Sequence, residues 1–400
     1  MKFLTLRDVD VRGKRVLVRE DLNVPMVDGA VTDATRIDAA LETLRFLRDR
    51  GARTIVLSHL GRPAGAPDPK LSLRPVAVEL GRRLGSPVAF AGDCIGPAAD
   101  RAVAALAPGD VIVLENVRFH AEEEANDPQF ARQLAALGDI YVNDAFGTAH
   151  RAHASTAGIA ADLPAVAGFL MESELAALDR LTSTPAQPFV CAIGGAKVKD
   201  KVDVFNYLLD RVESFVIGGG MANTFLAARG IDVGRSLRDD DLGPATAIIA
   251  AAAARGKSLH LPTDVVVSTS FDADDAAQTV PIERVDGRII LDIGPQTAAR
   301  YAGVLRAART IVFNGPMGVY EKPAYRAGTR TIGEAIAAAT KAGAISVVGG
   351  GDAAAAAHTL GFAGAMTHVS TGGGATLEFL EGRTLPGVAA LERAAARMQS

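Results

Sequence analysis

The sequence predicts an α/β protein built from two doubly wound, Rossmann-like parallel sheets joined by a helix. Three observations carry that prediction. Short β-branched runs alternate with Ala/Leu-rich segments of helical period along the whole length, the pattern of parallel strands covered by helices. At 400 residues, 48% of them hydrophobic, the chain exceeds what one core supports and has apolar material for two. The strand ends also differ between halves: arginine and histidine gather there in the first, glycine clusters in the second.

In the first half the run from Arg15 to Val18 leads into Arg19-Glu20-Asp21-Leu22-Asn23, and Arg36 to Arg50 follows with helical period. TIVLS leads into His59-Leu60-Gly61-Arg62-Pro63, VAFA forms a further strand, DVIVLEN leads into Arg118, and DIYVND leads into His150-Arg151-Ala152-His153. Met171 to Leu181 reads as a charged amphipathic helix ahead of the segment Thr184-Pro185-Ala186-Gln187-Pro188, so helix and linker are placed at 171–186. In the second half FVCAI, FVIGG, DVVVS, IVFN, ISVVGG and THVST read as strands of a second sheet. The alanine tracts Ala245 to Ala254 and Ala353 to Ala357 read as small-residue helices packed on it. Open parallel sheets bind ligands beyond the carboxyl ends of their strands, where these Arg/His and Gly segments fall. Arginine makes two-pronged contacts to phosphate or carboxylate, and glycine lets backbone N–H groups approach an anion. One half therefore suits a small acidic substrate and the other a polyphosphate.

Composition excludes several classes. A net charge of −4 leaves no basic surface of the kind nucleic-acid binders carry. Two cysteines, Cys94 and Cys191, give neither a disulfide framework nor a metal-ligand spacing, and a reducing cytosol fits them. Arg7, Asp8 and Asp10 precede any long apolar run, and no stretch approaches a membrane span, so a cytoplasmic protein is expected.

Two common nucleotide motifs fail. Gly256-Lys257-Ser258 imitates the end of a phosphate-binding loop, but Ala251 stands where that loop needs glycine and no strand precedes it. Gly349-x-Gly351-x-x-Ala354 follows a strand as a dinucleotide fingerprint does, yet lacks the acidic residue some 20 positions on that holds a ribose. Asp352 inside that loop would repel a pyrophosphate unless a divalent cation intervenes, which favours a magnesium-bound nucleotide over NAD.

Gly194 to Lys201 reads as a turn opening a helix that carries Lys197 and Lys201 on one face. Cations there oppose the helix dipole, a cost accepted when an anion binds. Thr371-Gly372-Gly373-Gly374-Ala375 offers consecutive backbone donors near a helix start, with a plain loop as the alternative. Glu122-Glu123-Glu124 reads as a solvated helix start. His260, His358 and His368 read as structural or surface residues, whereas His59, His150 and His153 each neighbour an arginine beyond a strand.

Asp21-Leu22-Asn23-Val24-Pro25, Ser58 to Pro63, Glu115 to Phe119 and Val142 to His153 together resemble the phosphoglycerate kinase family. So do Gly194 to Lys201, Asp292 to Pro295, Asn314 to Glu321, Gly349 to Asp352 and Val369 to Gly374, in one order from near the first strand to the C-terminal segment. The resemblance implies reversible phosphoryl transfer from 1,3-bisphosphoglycerate to MgADP, giving 3-phosphoglycerate and ATP. It implies a phosphoglycerate-binding domain at 1–170 with segment 385–400 packing back on it, a nucleotide-binding domain at 187–384, and a monomer. By resemblance Asp21, Asn23, Arg36, His59, Arg62, Arg118 and Arg151 hold the phosphoglycerate. Lys201 contacts the nucleotide phosphates, Glu321 the ribose and Asp352 the magnesium shell. Gly218, Gly219, Gly294, Asn314, Gly350, Gly351 and Ala353 belong to the nucleotide cleft by the same token.

The chemistry suits those roles. A carboxylate is already ionised at neutral pH and needs no general base, so catalysis rests on in-line positioning and charge neutralisation. Arg36, Lys197, Lys201, magnesium and the amides of Gly372 and Gly373 are the candidates for that work. Domain closure about a hinge near Met171 to Leu181 is expected to exclude water. Two departures stand out. Ala353 replaces the family's usual hydroxyl residue, with weaker nucleotide binding by on the order of 1 kcal/mol at most. Glu20 occupies a place that is usually apolar or small, and strand alternation leaves its direction open. An NAD-dependent dehydrogenase and a non-catalytic binding protein on the same fold are the alternatives.

Overall fold

A computed structural model describes residues 1–273 and 277–399. The chain divides into two compact units, Met1–Ala176 with Thr384–Ser400, and Ala177–Arg383. The boundary falls inside the helix Phe169–Thr182.

In the first unit β1 (Arg15–Arg19), β2 (Arg53–Leu57), β3 (Val88–Ala91), β4 (Val111–Leu114), β5 (Ile140–Asn143) and β6 (Ala165–Ala167) form one parallel sheet in the order β3-β4-β2-β1-β5-β6. Chain order reverses beside β1, the switch point at which such sheets bind ligands. Val16, Val18, Val56 and Val113 share one core with Ile37, Leu44 and Leu47 of the helix Thr35–Asp49 and with Val76 and Leu80 of the helix Arg74–Leu84. Their neighbours Leu17, Ile55 and Ile112 are buried as well, so the strands are covered on both faces. The C-terminal helix Pro386–Gln399 belongs to this unit, and Gly387 N donates to Ala149 O. Of segment 385–400, residue 400 lies outside the described residues.

In the second unit β7 (Phe189–Ile193), β8 (Ser214–Ile217), β9 (Ser258–His260), β10 (Asp264–Ser268), β11 (Gln278–Pro281), β12 (Ile289–Ile293), β13 (Thr310–Asn314), β14 (Ile345–Val348) and β15 (His368–Val369) make two sheets. The parallel one runs β9-β8-β7-β13-β14-β15. DVVVS does not join it, contrary to the sequence reading. It is β10, the centre of an antiparallel sheet β11-β10-β12. The alanine tracts lie in the helices Gly243–Ala254 and Gly351–Thr359.

Candidate functional site

In the first unit the ends of β1 and β2 assemble a cluster of cations. Arg19 ends β1 fully buried, and such a charge is tolerated only when its donors are used. Its Nε donates to Ser155 Oγ at 2.8 Å, Nη2 lies 3.1 Å from His59 Nδ1, and Nη1 donates to the Glu20 carbonyl. Behind Ser155 stands Glu123, whose carboxylate accepts from Ser155 N at 2.8 Å and Ser155 Oγ at 2.6 Å. Glu123 is therefore no solvated helix residue. It is fully buried, with its pKa raised by burial and opposed by Arg19.

His59 sits at the middle of the cluster. Burial, then Arg19, Arg118, Arg36 and Arg151, hold its pKa well below the usual value, so its ring is neutral. His153 is brought down to about 4 by burial and by Arg118 and Arg151. Arg36 is ion-paired with Asp21. Asn23 Oδ1 accepts from Gly61 N at 2.9 Å, and Arg118 Nη1 donates to Gly61 O at 2.8 Å, so this turn ties two candidate ligands together. Gly61 adopts a φ of 63°, and a Cβ there would meet Leu71 at 2.7 Å. Arg118 is 4% exposed, yet its Nη2 has no hydrogen-bond partner among the described residues. Its Nε lies 3.2 Å from Glu124 Oε1 without hydrogen-bond alignment. A buried guanidinium with unused donors, beside other arginines and a neutral imidazole, is built to receive an anion. Arg151 is half-buried, and Arg62 is exposed in the turn after Gly61.

Glu20 is buried with neither carboxyl oxygen partnered among the described residues. Burial and the neighbouring Asp144 raise its pKa well above normal, which keeps it neutral. Asp144 in turn accepts from Met171 N at 3.0 Å, in the first turn of the helix Phe169–Thr182.

In the second unit, glycine turns after β7, β8 and β13 pack backbone against backbone. A Cβ on Gly194 would stand 1.9 Å from Pro316 O, and one on Gly218 would stand 2.8 Å from Met317 Cα. Lys201 Nζ is wedged between these turns, donating to Gly194 O at 2.8 Å and Asn314 O at 2.6 Å. Burial brings its pKa down to about 8, against a smaller upward pull that includes Asp352. The expected helical pair with Lys197 does not form. Residues Lys199–Lys201 are a single 3-10 turn and the helix begins at Val202, because Asp239 Oδ2 holds Val198 N at 2.7 Å and fixes the loop before it. Lys197 lines a separate cavity of about 260 Å³ with Lys199, Arg238 and Asp239.

A larger cavity of about 790 Å³ adjoins the glycine turns. Gly195, Gly219, Glu321 and Asp352 line it on one side, and Leu237, Phe271, Ile289 and Leu291 supply apolar wall. The helix Gly351–Thr359 starts there behind Gly350, at φ 99°, without a side-chain cap, so its first N–H groups remain for a ligand. Ala353 is 1% exposed in the apolar core, so here the first turn offers backbone donors alone. Gly373, at φ 49°, precedes the short helix Gly374–Leu380, and Gly372 N donates to Ser370 Oγ at 3.1 Å. Gly218, Gly294 and Asn314 shape this region from behind. Gly294 N donates to Asp264 O at 2.8 Å, and Asn314 Nδ2 bonds Gly349 O at 2.8 Å.

A family model described as phosphoglycerate kinase matches residues 6–383. The chain belongs to the phosphoglycerate kinase family. It is 54% identical over 393 residues to the phosphoglycerate kinase of Moorella thermoacetica, covering 98% of this chain and 99% of that one. The phosphoglycerate kinase of Chloroflexus aurantiacus is 55% identical over 399 residues, covering 98% and 100%. Among solved structures, phosphoglycerate kinase from Coxiella burnetii superposes with a TM-score of 0.91 at 43% identity, covering 98% and 100%. The Pyrococcus horikoshii phosphoglycerate kinase gives 0.82 at 33%, covering 98% and 99%. The fold with two parallel sheets expected from the strand pattern is that of phosphoglycerate kinases, and the dehydrogenase alternative is set aside. Sequence reasoning missed Arg19 and Asp292 as organisers of the site. Asp292 lines the larger cavity, bonds Ile293 N and Gly328 N at 2.9 and 2.7 Å, and has its pKa pushed up to about 7 by burial.

Proposed function

We propose that this chain transfers a phosphoryl group reversibly between 1,3-bisphosphoglycerate and ADP, with the acid held by the first unit and the nucleotide by the second. The observation that carries the first assignment is the buried Arg118 with unused donors, set among Arg19, Arg36, Arg151 and the neutral His59. Arg36, His59, Arg62, Arg118 and Arg151 would take the phosphate and carboxylate of the acid, with Asp21 and Asn23 orienting its hydroxyl. In the second unit Lys201 and the first turn of the helix Gly351–Thr359 would face the nucleotide phosphates, and Glu321 the ribose. Asp352 presents a hard oxygen in that turn, the donor Mg²⁺ prefers when shared with phosphates. When bound, Mg²⁺ supplies neutralisation of phosphate charge. Arg36, Lys197 and the Gly373 amide would act on the transferring group itself, joined by the Gly372 amide once it leaves Ser370 Oγ. The same reading includes domain closure about a hinge near Met171 to Leu181, which would exclude water from the transfer. A cytoplasmic monomer accords with the reading.

The test is a coupled assay with 3-phosphoglycerate and MgATP, reading product removal as NADH oxidation. Turnover is expected only with both substrates, and Lys197→Ala is expected to lower kcat by about 100-fold. Unchanged kcat in that variant would mean that Lys197 stays in its separate cavity throughout the cycle. Turnover absent in the unaltered protein, with both ligands bound, would mean a non-catalytic relative.

Lys201 yields a pH prediction. Its pKa of about 8 lies below the ordinary 10.5, so burial disfavours its charge and costs stability that is regained as pH rises from 8 towards 10.5. A phosphate beside Nζ reverses that shift. At pH 8.5 nucleotide binding is therefore expected to take up a fraction of a proton, seen in calorimetry as a binding enthalpy that depends on the buffer's ionisation enthalpy. Buffer-independent heats, or heats that are equally buffer-dependent in Lys201→Met, would exclude Lys201 from phosphate contact.

A further inference from the structure

We propose that Asp93, Cys94 and His120 form a binding site for a divalent transition ion of the Zn²⁺ class, apart from the phosphoryl-transfer residues. Cys94 Sγ, a His120 ring nitrogen and an Asp93 carboxylate oxygen lie within 4.8 Å of one another. Sulfur, imidazole nitrogen and carboxylate oxygen are the three donor types Zn²⁺ takes, and they suit neither Mg²⁺ nor Ca²⁺. Cysteine spacing concealed the group, because its members come from two segments. Asp93 and Cys94 follow β3, and His120 precedes the short helix Ala121–Glu124 beyond β4.

The ligands are already oriented. His120 Nε2 and Asp93 Oδ1 are 2.8 Å apart, and the same oxygen accepts from Cys94 N at 2.7 Å. The His120 ring is braced against Phe130 with centroids 5.2 Å apart. Tetrahedral Zn²⁺ with bonds of 2.0 to 2.3 Å separates its donors by roughly 3.5 Å, so the three atoms need shift by only about 1 Å. Asp93 and His120 line a cavity of about 620 Å³, which leaves an entry path and an open fourth position. Glu115 lines it too, but its carboxylate is engaged by Ser72 Oγ, Leu73 N and Asn116 N. Cys94 is fully buried. Binding would form the metal–sulfur bond as the S–H proton leaves to solvent, so affinity should rise with pH.

Co²⁺ is the probe, because thiolate ligation gives a near-ultraviolet charge-transfer band that carboxylate and imidazole sites lack. Cys191, the other cysteine, is buried within β7 in the second unit. The full-length protein, stripped with a chelator, is expected to bind one equivalent of Co²⁺ with that band, and Zn²⁺ to abolish it. Cys94→Ser is expected to lose the band, and His120→Gln to weaken binding by at least about 100-fold. No band at saturating Co²⁺, or a band that survives in Cys94→Ser, overturns the proposal. Should Cys94→Ser fail to fold, an unchanged affinity in His120→Gln overturns it equally.

Discussion

Arg36→Ala is expected to lower kcat for phosphoryl transfer by about 100- to 1000-fold, the loss typical of removing one preorganised charge from a transition state. Arg36 is held by its ion pair with Asp21 and is still 38% exposed, so it can turn to meet a ligand at little cost. Two effects are mixed in the single variant. Losing the guanidinium removes neutralisation of the transferring group, and it also leaves the Asp21 carboxylate unpaired where an anionic acid must bind. Arg36→Ala with Asp21→Asn separates them. The double variant is expected to recover KM for 3-phosphoglycerate towards the unaltered value while kcat stays low. If steady-state kinetics show kcat restored as well, Arg36 serves only to neutralise Asp21 and takes no part in transfer.

What the sequence made legible was whatever depends on residue type at a strand end. His59, Arg118 and Arg151 fall beyond β2, β4 and β5, and alternation with helical segments sufficed to place them there. Burial was the quantity it hid. Glu123 sits in a run of three glutamates that resembles solvent-facing surface, and only Ser155, far along the chain, shows that one of them faces inward. Arg19 was unreadable for the same reason, since its partners are His59 beyond β2 and Ser155 in the helical turn Ala154–Gly158. DVVVS misled because its three consecutive valines look alike in a parallel and an antiparallel sheet. Lys197 and Lys201 parted because Asp239 pins the backbone at Val198, between the two lysines, a contact 41 residues away in sequence that periodicity does not register.

Gly194→Ala is expected to be the most destabilising single-methyl change in the second unit. Its Cβ would stand 1.9 Å from Pro316 O and 2.8 Å from Gly315 O, so backbone and not a yielding side chain blocks it. Relief requires the turns after β7 and β13 to part. Lys201 Nζ bonds a carbonyl on each of those turns, so parting them also strips a buried ammonium of its acceptors. The combined cost should be about 3 kcal/mol or more. In a unit of this size that is a fall in melting temperature of roughly 6–12 °C. Gly303→Ala is the control. It lies in the helix Pro295–Ala307 with nothing within 4 Å of its Cβ, and removing a helical glycine should stabilise by about 0.5–1 kcal/mol. Calorimetric melting of both variants, with ADP titrated into each below its transition, reads stability and the cleft separately. If Gly194→Ala melts like the unaltered protein and binds ADP as tightly, the two turns are not in contact, and the wedged position of Lys201 has no structural basis.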